Sequence, residues 1–533
     1  MAQVWRAALC QCPKRGMPRA AHRLRVLAAH ALAATPSAAA AETLQNFVGG
    51  DFVSSTASST VEVTDPDSGR VLAQVPESGA ADVDAAVAAA AKAWPSWRDT
   101  PVKVRVEVLF RFKSLLEAHL SELSDLIVTE HGKNRAEAEA EVLKGIETVT
   151  FATGLPEILA GRQLEVSRGV TCQEMRRPLG VVASIVPFNF PAMVPLWTLP
   201  LAIGCGNCLI MKPSEKVPLT LVRMAELLRE AGCPSGVFSI VHGAQAAVES
   251  LTKHPGIAAV SFVGSSRVAE IVDKSARANG KRALCMGGAK NHLIVMPDAD
   301  EAMTINDVMN SAFGSGGQRC MAASVLLLVG KNRRSFLDGL VERARALEAG
   351  QKVGQIGPLI DAQARSRVSR YIEECPGHGG RVLLDGRAWA SDPRLGQGFY
   401  VGPTILLHSS SHEPAMSEEI FGPVLSVFEV DSLDEAVAIE NTNPYGNAAS
   451  IYTTSGATAL EAQRFSAGML GINIGVPVPR EPFSFGGTRQ SKFGDSSDIT
   501  GIGAVNFFTE LIKITTKWNP AKRTDTVAAS FIN

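Results

Sequence analysis

Charge of either sign is nearly absent as a net quantity: Lys plus Arg number 52 and Asp plus Glu 53 in 533 residues, leaving −1. A nucleic-acid binder needs a basic face to displace counterions, so that class is set aside. Nine cysteines without regular spacing make no disulfide framework. No G-x-G-x-x-G opens a helix, no Walker loop or H-E-x-x-H occurs, and the ten histidines lack metal-ligand spacing. Cys205 and Cys208 form a C-x-x-C with no second pair at zinc-ribbon distance, so no metal is expected. No internal repeat and no low-complexity linker interrupts the body. With 46% hydrophobic and 20% charged residues, the composition is that of a globular protein of a reducing compartment. Its length suits two or three domains.

One uncharged stretch, residues 178–211, is long enough to cross a bilayer. Pro187, Pro191, Pro195 and Pro200 lie inside it, with Asn189 and Asn207. A lipid-spanning helix would have to satisfy every backbone group those prolines free. A buried strand, a turn and a buried helix fit better, so no membrane association is expected. The first forty residues carry Arg6, Lys14, Arg15, Arg19, Arg23 and Arg25 and no acid, the first being Glu42. Ala-rich and able to form a basic amphipathic helix, residues 1–40 have the composition of a mitochondrial transit peptide, with a disordered basic tail as the plainer alternative.

From about 78 to 150, apolar residues recur at three- and four-residue spacing, which predicts helices. Beyond Gly180, short apolar runs alternate with amphipathic segments. Strands are expected at 181–186, 208–211, 238–241, 260–263 and 293–296, with helices near 217–231, 244–253 and 267–278. A second set of strands is expected at 324–329, 401–407, 424–428 and 448–452. That rhythm predicts an α/β protein with helix-covered parallel sheets. Residues 504–516 alternate enough to be read as an edge strand.

The most informative segment is Phe313-Gly-Ser-Gly-Gly-Gln-Arg-Cys320. Glycines let the backbone approach a ligand closely, and a cation beside a thiol favours the thiolate, the form that attacks carbonyl carbon. On these residues alone Cys320 is either a nucleophile or a structural cysteine after a glycine turn.

Gly-Gln-Arg-Cys320, Pro187-Phe-Asn-Phe-Pro191, Lys212-Pro-Ser-Glu215, Phe262-Val-Gly-Ser265 and Glu418-Glu-Ile-Phe-Gly-Pro423 stand in one order. In that order and spacing the chain, from about 43 to 518, resembles the aldehyde dehydrogenase superfamily. Pro-Phe-Asn-Phe-Pro-Ala-Met193, Gly-Ala-Lys-Asn-His292, Gly-Gln-Arg-Cys-Met321 and Val-Pro-Val-Pro479 make it similar to the CoA-acylating branch acting on methylmalonate semialdehyde. The resemblance implies a Rossmann-type NAD-binding domain (41–157 and 178–288) and an α/β catalytic domain (289–500). It further implies a small β oligomerisation element with the C-terminal tail (158–177 and 501–533), and a homotetramer or homodimer.

By the same resemblance Cys320 is the nucleophile and Asn189 an oxyanion donor. Phe188, Lys212, Glu215, Gly243, Gly264, Ser265, Glu419 and Phe421 would bind NAD. Lys212 and Glu215 would reach the adenosine ribose, where a carboxylate disfavours a 2′-phosphate. Gly264 and Ser265 open a helix whose free N–H groups suit a phosphate. Arg319 would clamp a substrate carboxylate. A second family arginine is matched by Lys144, which keeps the charge and loses the bidentate fork. Where hydrolytic members carry a water-activating Glu, this chain has Met286, which cannot accept a proton. Deacylation is then expected to use the thiol of CoA as co-substrate. The implied reaction is oxidation of methylmalonate and malonate semialdehydes to propionyl-CoA and acetyl-CoA with loss of CO2, in valine and pyrimidine breakdown in the mitochondrial matrix. A hydrolytic NAD-dependent aldehyde dehydrogenase and a catalytically idle binder on this fold are the alternatives.

Overall fold

The computed structural model describes residues 41–330 and 333–518. The basic N-terminal segment read as a transit peptide lies outside the described residues, as does 519–533 of the tail.

Runs of β-branched and aliphatic residues build a first sheet of eight strands. Its order is Asp51–Val53, Asn46–Val48, Phe238–Ile240, Cys208–Lys212, Val181–Ile185, Ala259–Val263, Arg282–Met286 and Lys492–Gly494. The five strands from Phe238–Ile240 to Arg282–Met286 run parallel. Val181–Ile185 and Cys208–Lys212 are buried at every position, as expected of strands covered on both faces. Between these two lies the buried helix Met193–Gly204, so the uncharged stretch is the strand, turn and helix expected of it. Among the described residues no helix is long and apolar enough to cross a membrane.

The second sheet has seven strands in the order Arg381–Leu384, Thr404–Leu407, Val424–Val430, Ala323–Val329, Asn291–Val295, Ala448–Tyr452 and Met469–Ile472. All but the first run parallel. Lys492–Gly494 adds an antiparallel edge to the first sheet. A third sheet pairs Thr509–Lys517 with Val170–Pro178, and that strand with Arg162–Ser167.

The strand expected over 504–516 is corrected in its first part. Gly501–Phe508 is a helix, and the strand begins only at Thr509. Ala504, Val505, Phe507 and Phe508 are all buried there, a three-to-four-residue spacing that a strand would split between two faces.

Parallel strands carry their C-terminal ends to one edge of a sheet, where α/β proteins place ligands. At that edge of the first sheet stand Pro187–Asn189, Lys212, Gly243, Gly264–Ser265 and the loop after Met286. Cys320 and Lys290 sit just before strands of the second sheet.

Candidate active site

Cys320 follows the helix Glu301–Phe313 and the turn Gly314–Gly317. Gly317 has φ +69°, and a Cβ there would meet the Gly422 carbonyl oxygen at 2.1 Å, so only glycine allows this approach. The Cys320 carbonyl is held from two sides, by Asn291 Nδ2 at 2.8 Å and Asn447 Nδ2 at 2.9 Å. Around Cys320 a pocket is lined by Lys290, Arg319, Glu419 and Phe421 among others.

The electrostatics there differ from the sequence reading of Arg319. Burial pushes the Cys320 thiol up to about 12, the Glu419 carboxylate adds to the rise, and Arg319 pulls the other way more weakly. The guanidinium is engaged elsewhere: Nη2 donates to the carbonyl oxygens of Asn310 and Ser311 at the end of the preceding helix. The neighbouring cation therefore does not make a resting thiolate. Iodoacetamide inactivation of the free protein is expected to be slow at neutral pH and to quicken about tenfold per pH unit, following the thiolate fraction. Stopped aliquots assayed for activity between about pH 7 and pH 9 check it; a flat profile would point to a preformed thiolate.

Glu419 and Lys290 face each other inside this pocket. Burial raises the Glu419 carboxyl to about 7, although its Oε1 accepts the Ala289 N–H at 2.8 Å. Burial lowers Lys290 to about 7 against the pull of Glu419, and its Nζ has no hydrogen-bond partner.

The dinucleotide residues expected from sequence converge along the first sheet. Lys212 Nζ donates to the Gly243 carbonyl at 2.8 Å and lies 3.5 Å from Glu215. Gly243 has φ +131°, and a Cβ on it would stand 3.0 Å from Ser78 O. Gly264 N–H donates to Met286 O at 3.1 Å, and a Cβ on Gly264 would strike the Phe262 ring at 2.5 Å. Ser265 is the N-cap of the helix Ser266–Ala278, with no side-chain cap, so first-turn N–H groups stay open to a phosphate. Phe188 and Phe421 meet edge to face at 5.8 Å. A cradle of close-approach glycines, a ribose-range carboxylate and an open helix N-terminus suits a dinucleotide.

Two of the expected site residues, Asn189 and Lys144, are held by other parts of the chain. Asn189 is buried, its backbone carbonyl takes 2.9 Å from Lys133 Nζ, and no hydrogen bond among the described residues engages its side-chain amide. Lys144 Nζ pairs with Glu147 at 2.8 Å and Glu481 at 3.0 Å, so its charge is already offset.

Sequence reasoning missed the support beneath these groups. Lys133 and Glu141 form a buried pair at 2.5 Å, and Glu141 Oε1 also accepts the N–H groups of Ala192 and Met193 at 2.8 and 3.2 Å. Together they brace both sides of the Asn189 turn. Asn291 and Asn447 do the same for Cys320. No local spacing announces these contacts; Asn291 alone was visible, within the Gly-Ala-Lys-Asn-His292 motif.

A cysteine on a glycine turn beside a dinucleotide-suited edge is an arrangement that suits an oxidoreductase. The chain belongs to the aldehyde dehydrogenase family, whose description matches residues 52–514. It is 43% identical over 482 residues, 90% of this chain and 99% of the relative, to malonate-semialdehyde dehydrogenase 2 of Geobacillus kaustophilus. It is 41% identical over 481 residues, 89% of each chain, to the human mitochondrial methylmalonate-semialdehyde/malonate-semialdehyde dehydrogenase [acylating]. The crystal structure of methylmalonate-semialdehyde dehydrogenase from Oceanimonas doudoroffii superposes with TM-score 0.88 at 40% identity, covering 90% of this chain and 99% of that one. A Sinorhizobium meliloti 1021 protein solved with NAD gives TM-score 0.88 at 37% identity, covering 91% and 99%.

Proposed function

We propose that this protein oxidises malonate and methylmalonate semialdehydes with NAD and passes the acyl group to CoA, releasing CO2 and forming acetyl-CoA and propionyl-CoA. The observation carrying the acylating part is Met286. It ends the strand Arg282–Met286 only 2% exposed, where a water-activating carboxylate would be needed for hydrolysis. The semialdehyde part is supported by the activities that the relatives' names carry.

In this reading Cys320 adds through sulfur to the aldehyde carbon. The resulting oxyanion takes hydrogen bonds from the Asn189 amide and the Cys320 N–H, donors worth about 3–4 kcal/mol when fixed in advance. NAD, when bound, supplies the hydride acceptor. Lys212 and Glu215 hold the adenosine ribose, Gly243, Gly264 and Ser265 the phosphate path, and Glu419, Phe421 and Phe188 the nicotinamide end. Glu419 and Lys290, both near 7, are the groups suited to taking up the thiol proton. Attack by the CoA thiol on the Cys320 thioester then restores the free cysteine. Arg319 and Lys144 are proposed to meet the substrate carboxylate, each after exchanging a present partner. Residues 41–157 with 178–288 form the NAD domain in this proposal, and 289–500 the catalytic domain.

The acid-free N-terminal segment and the human relative's mitochondrial description support a matrix address in valine and pyrimidine breakdown. The three-stranded sheet supports subunit pairing as a homodimer or homotetramer.

The test is NADH formation from malonate semialdehyde with and without CoA. Sustained turnover only with CoA, after a burst of about one NADH per active site without it, is expected of a thioester that water does not reach. Equal rates in both cuvettes would establish hydrolysis instead, with Glu419 the first carboxylate to examine as its base.

A further inference from the structure

Away from Cys320, three segments of the second half bring a thiol, an imidazole and a carboxylate together. Cys375 opens the short turn Cys375–His378 after the helix Ala362–Glu374. His408 follows the strand Thr404–Leu407, and Glu413 caps the helix Pro414–Ser417. All three are buried, and one ligand atom from each lies within 4.8 Å of the other two. Among the described residues this is the one group of three or more His, Cys, Asp or Glu side chains so placed.

The three groups are held in place with space left between them. Glu413 Oε1 is saturated by the N–H groups of Ser409 and Ser410 at 2.8 and 3.1 Å and the Ser409 hydroxyl at 3.1 Å, which fixes the carboxylate. Its Oε2 contacts His408 Nδ1 at 2.6 Å. Nδ1 is therefore the ring nitrogen that meets the cluster, while Nε2 on the far side is buried without a hydrogen-bond partner, on a side chain fully enclosed by protein. Gly380 borders the same space. A Cβ on it would fall 2.6 Å from Cys375 Sγ and 2.9 Å from Glu413 Oε2, so glycine keeps the gap between thiol and carboxylate open. Tyr371, Glu374 and His378 line the small cavity that reaches the three groups.

We propose that Cys375, His408 and Glu413 form a binding site for a zinc-class divalent cation, distinct from the catalytic pocket. Sulfur, imidazole nitrogen and carboxylate oxygen are the donor set that borderline-soft zinc prefers. Tetrahedral zinc with bonds of about 2.0–2.3 Å spaces its ligand atoms by roughly 3.3–3.8 Å. Closing the widest spacing by about 1 Å and opening the 2.6 Å His408–Glu413 contact by somewhat less therefore forms the site. The cation displaces the Cys375 thiol proton to solvent and the proton held between His408 Nδ1 and Glu413 Oε2, which passes to Nε2; no electron is transferred. A fourth position faces the cavity, where water or the exposed His378 can fill it. By tying three segments that lead into Glu418 and Glu419, the ion would stabilise the fold rather than enter the reaction.

The test uses the full chain with Cys320→Ser, so that the catalytic thiol cannot contribute. Titration with Co2+ is expected to raise a thiolate-to-cobalt charge-transfer absorption that saturates near one cobalt per chain and disappears on adding Zn2+. Adding Cys375→Ser should remove the band. In the unmodified protein, Zn2+ at about a hundredfold excess over its Kd should raise the melting midpoint by a few degrees, and His408→Asn should cancel that rise. No band in the Cys320→Ser chain, or a band that survives Cys375→Ser, would overturn the proposal. The outcome is independent of which aldehyde the enzyme uses.

Discussion

Replacing Cys320 by serine is expected to lower steady-state NADH formation by about a thousandfold or more and to erase the burst seen without CoA. A hydroxyl is a far weaker nucleophile than a thiol near neutral pH, and no described residue offers Cys320 the adjacent imidazole base that activates serine in hydrolases. The substitution should leave the fold intact, because what the structure holds at this position is the backbone. Asn291 and Asn447 both bond the carbonyl of residue 320, and those bonds do not depend on its side chain. NAD affinity, measured by calorimetry, is therefore expected to stay within about twofold, while the single-turnover signal vanishes. Retention of a burst in this variant would remove Cys320 from the mechanism. A loss of NAD binding together with activity would instead mean that the turn had rearranged.

How far the sequence could be read depended on whether the information was local. Cys320 stood out because a glycine-rich turn and its nucleophile are neighbours in the chain. The parallel strands stood out because each is a short apolar run, and Val181–Ile185 and Cys208–Lys212 prove buried throughout. Local alternation misled at 501–508, where burial on a helix face decided the conformation. Adjacency also misled about Arg319: next to Cys320 in sequence, it spends its guanidinium on carbonyls of the preceding helix. Burial and Glu419 then dominate the thiol. Histidine spacing hid Cys375, His408 and Glu413 for the same reason. They are gathered by the pairing of Arg381–Leu384 with Thr404–Leu407, not by a motif.

The deepest of these long-range devices is the Lys133–Glu141 pair, and Lys133→Met is expected to be the costliest single change away from the nucleophile. Both side chains are 1% exposed, and Lys133 Nζ also supports the Asn189 carbonyl. Removing the cation strands a carboxylate in the interior, which typically costs about 3–5 kcal/mol. Glu141→Gln alone keeps an acceptor for the Ala192 and Met193 N–H groups but leaves the ammonium unpaired. The double variant Lys133→Met with Glu141→Gln buries no charge and keeps that acceptor. Its loss in urea denaturation should fall short of the sum of the singles by about 1–3 kcal/mol. Activity should not recover in step. Without Lys133 the Asn189 carbonyl has lost its donor, so the turn carrying the proposed oxyanion amide is less constrained, and the NADH burst rate should remain about tenfold or more below that of the unmodified protein. If stability and burst rate recovered together, the pair would be a scaffold only. If they separate, Lys133 positions Asn189 as well as neutralising Glu141.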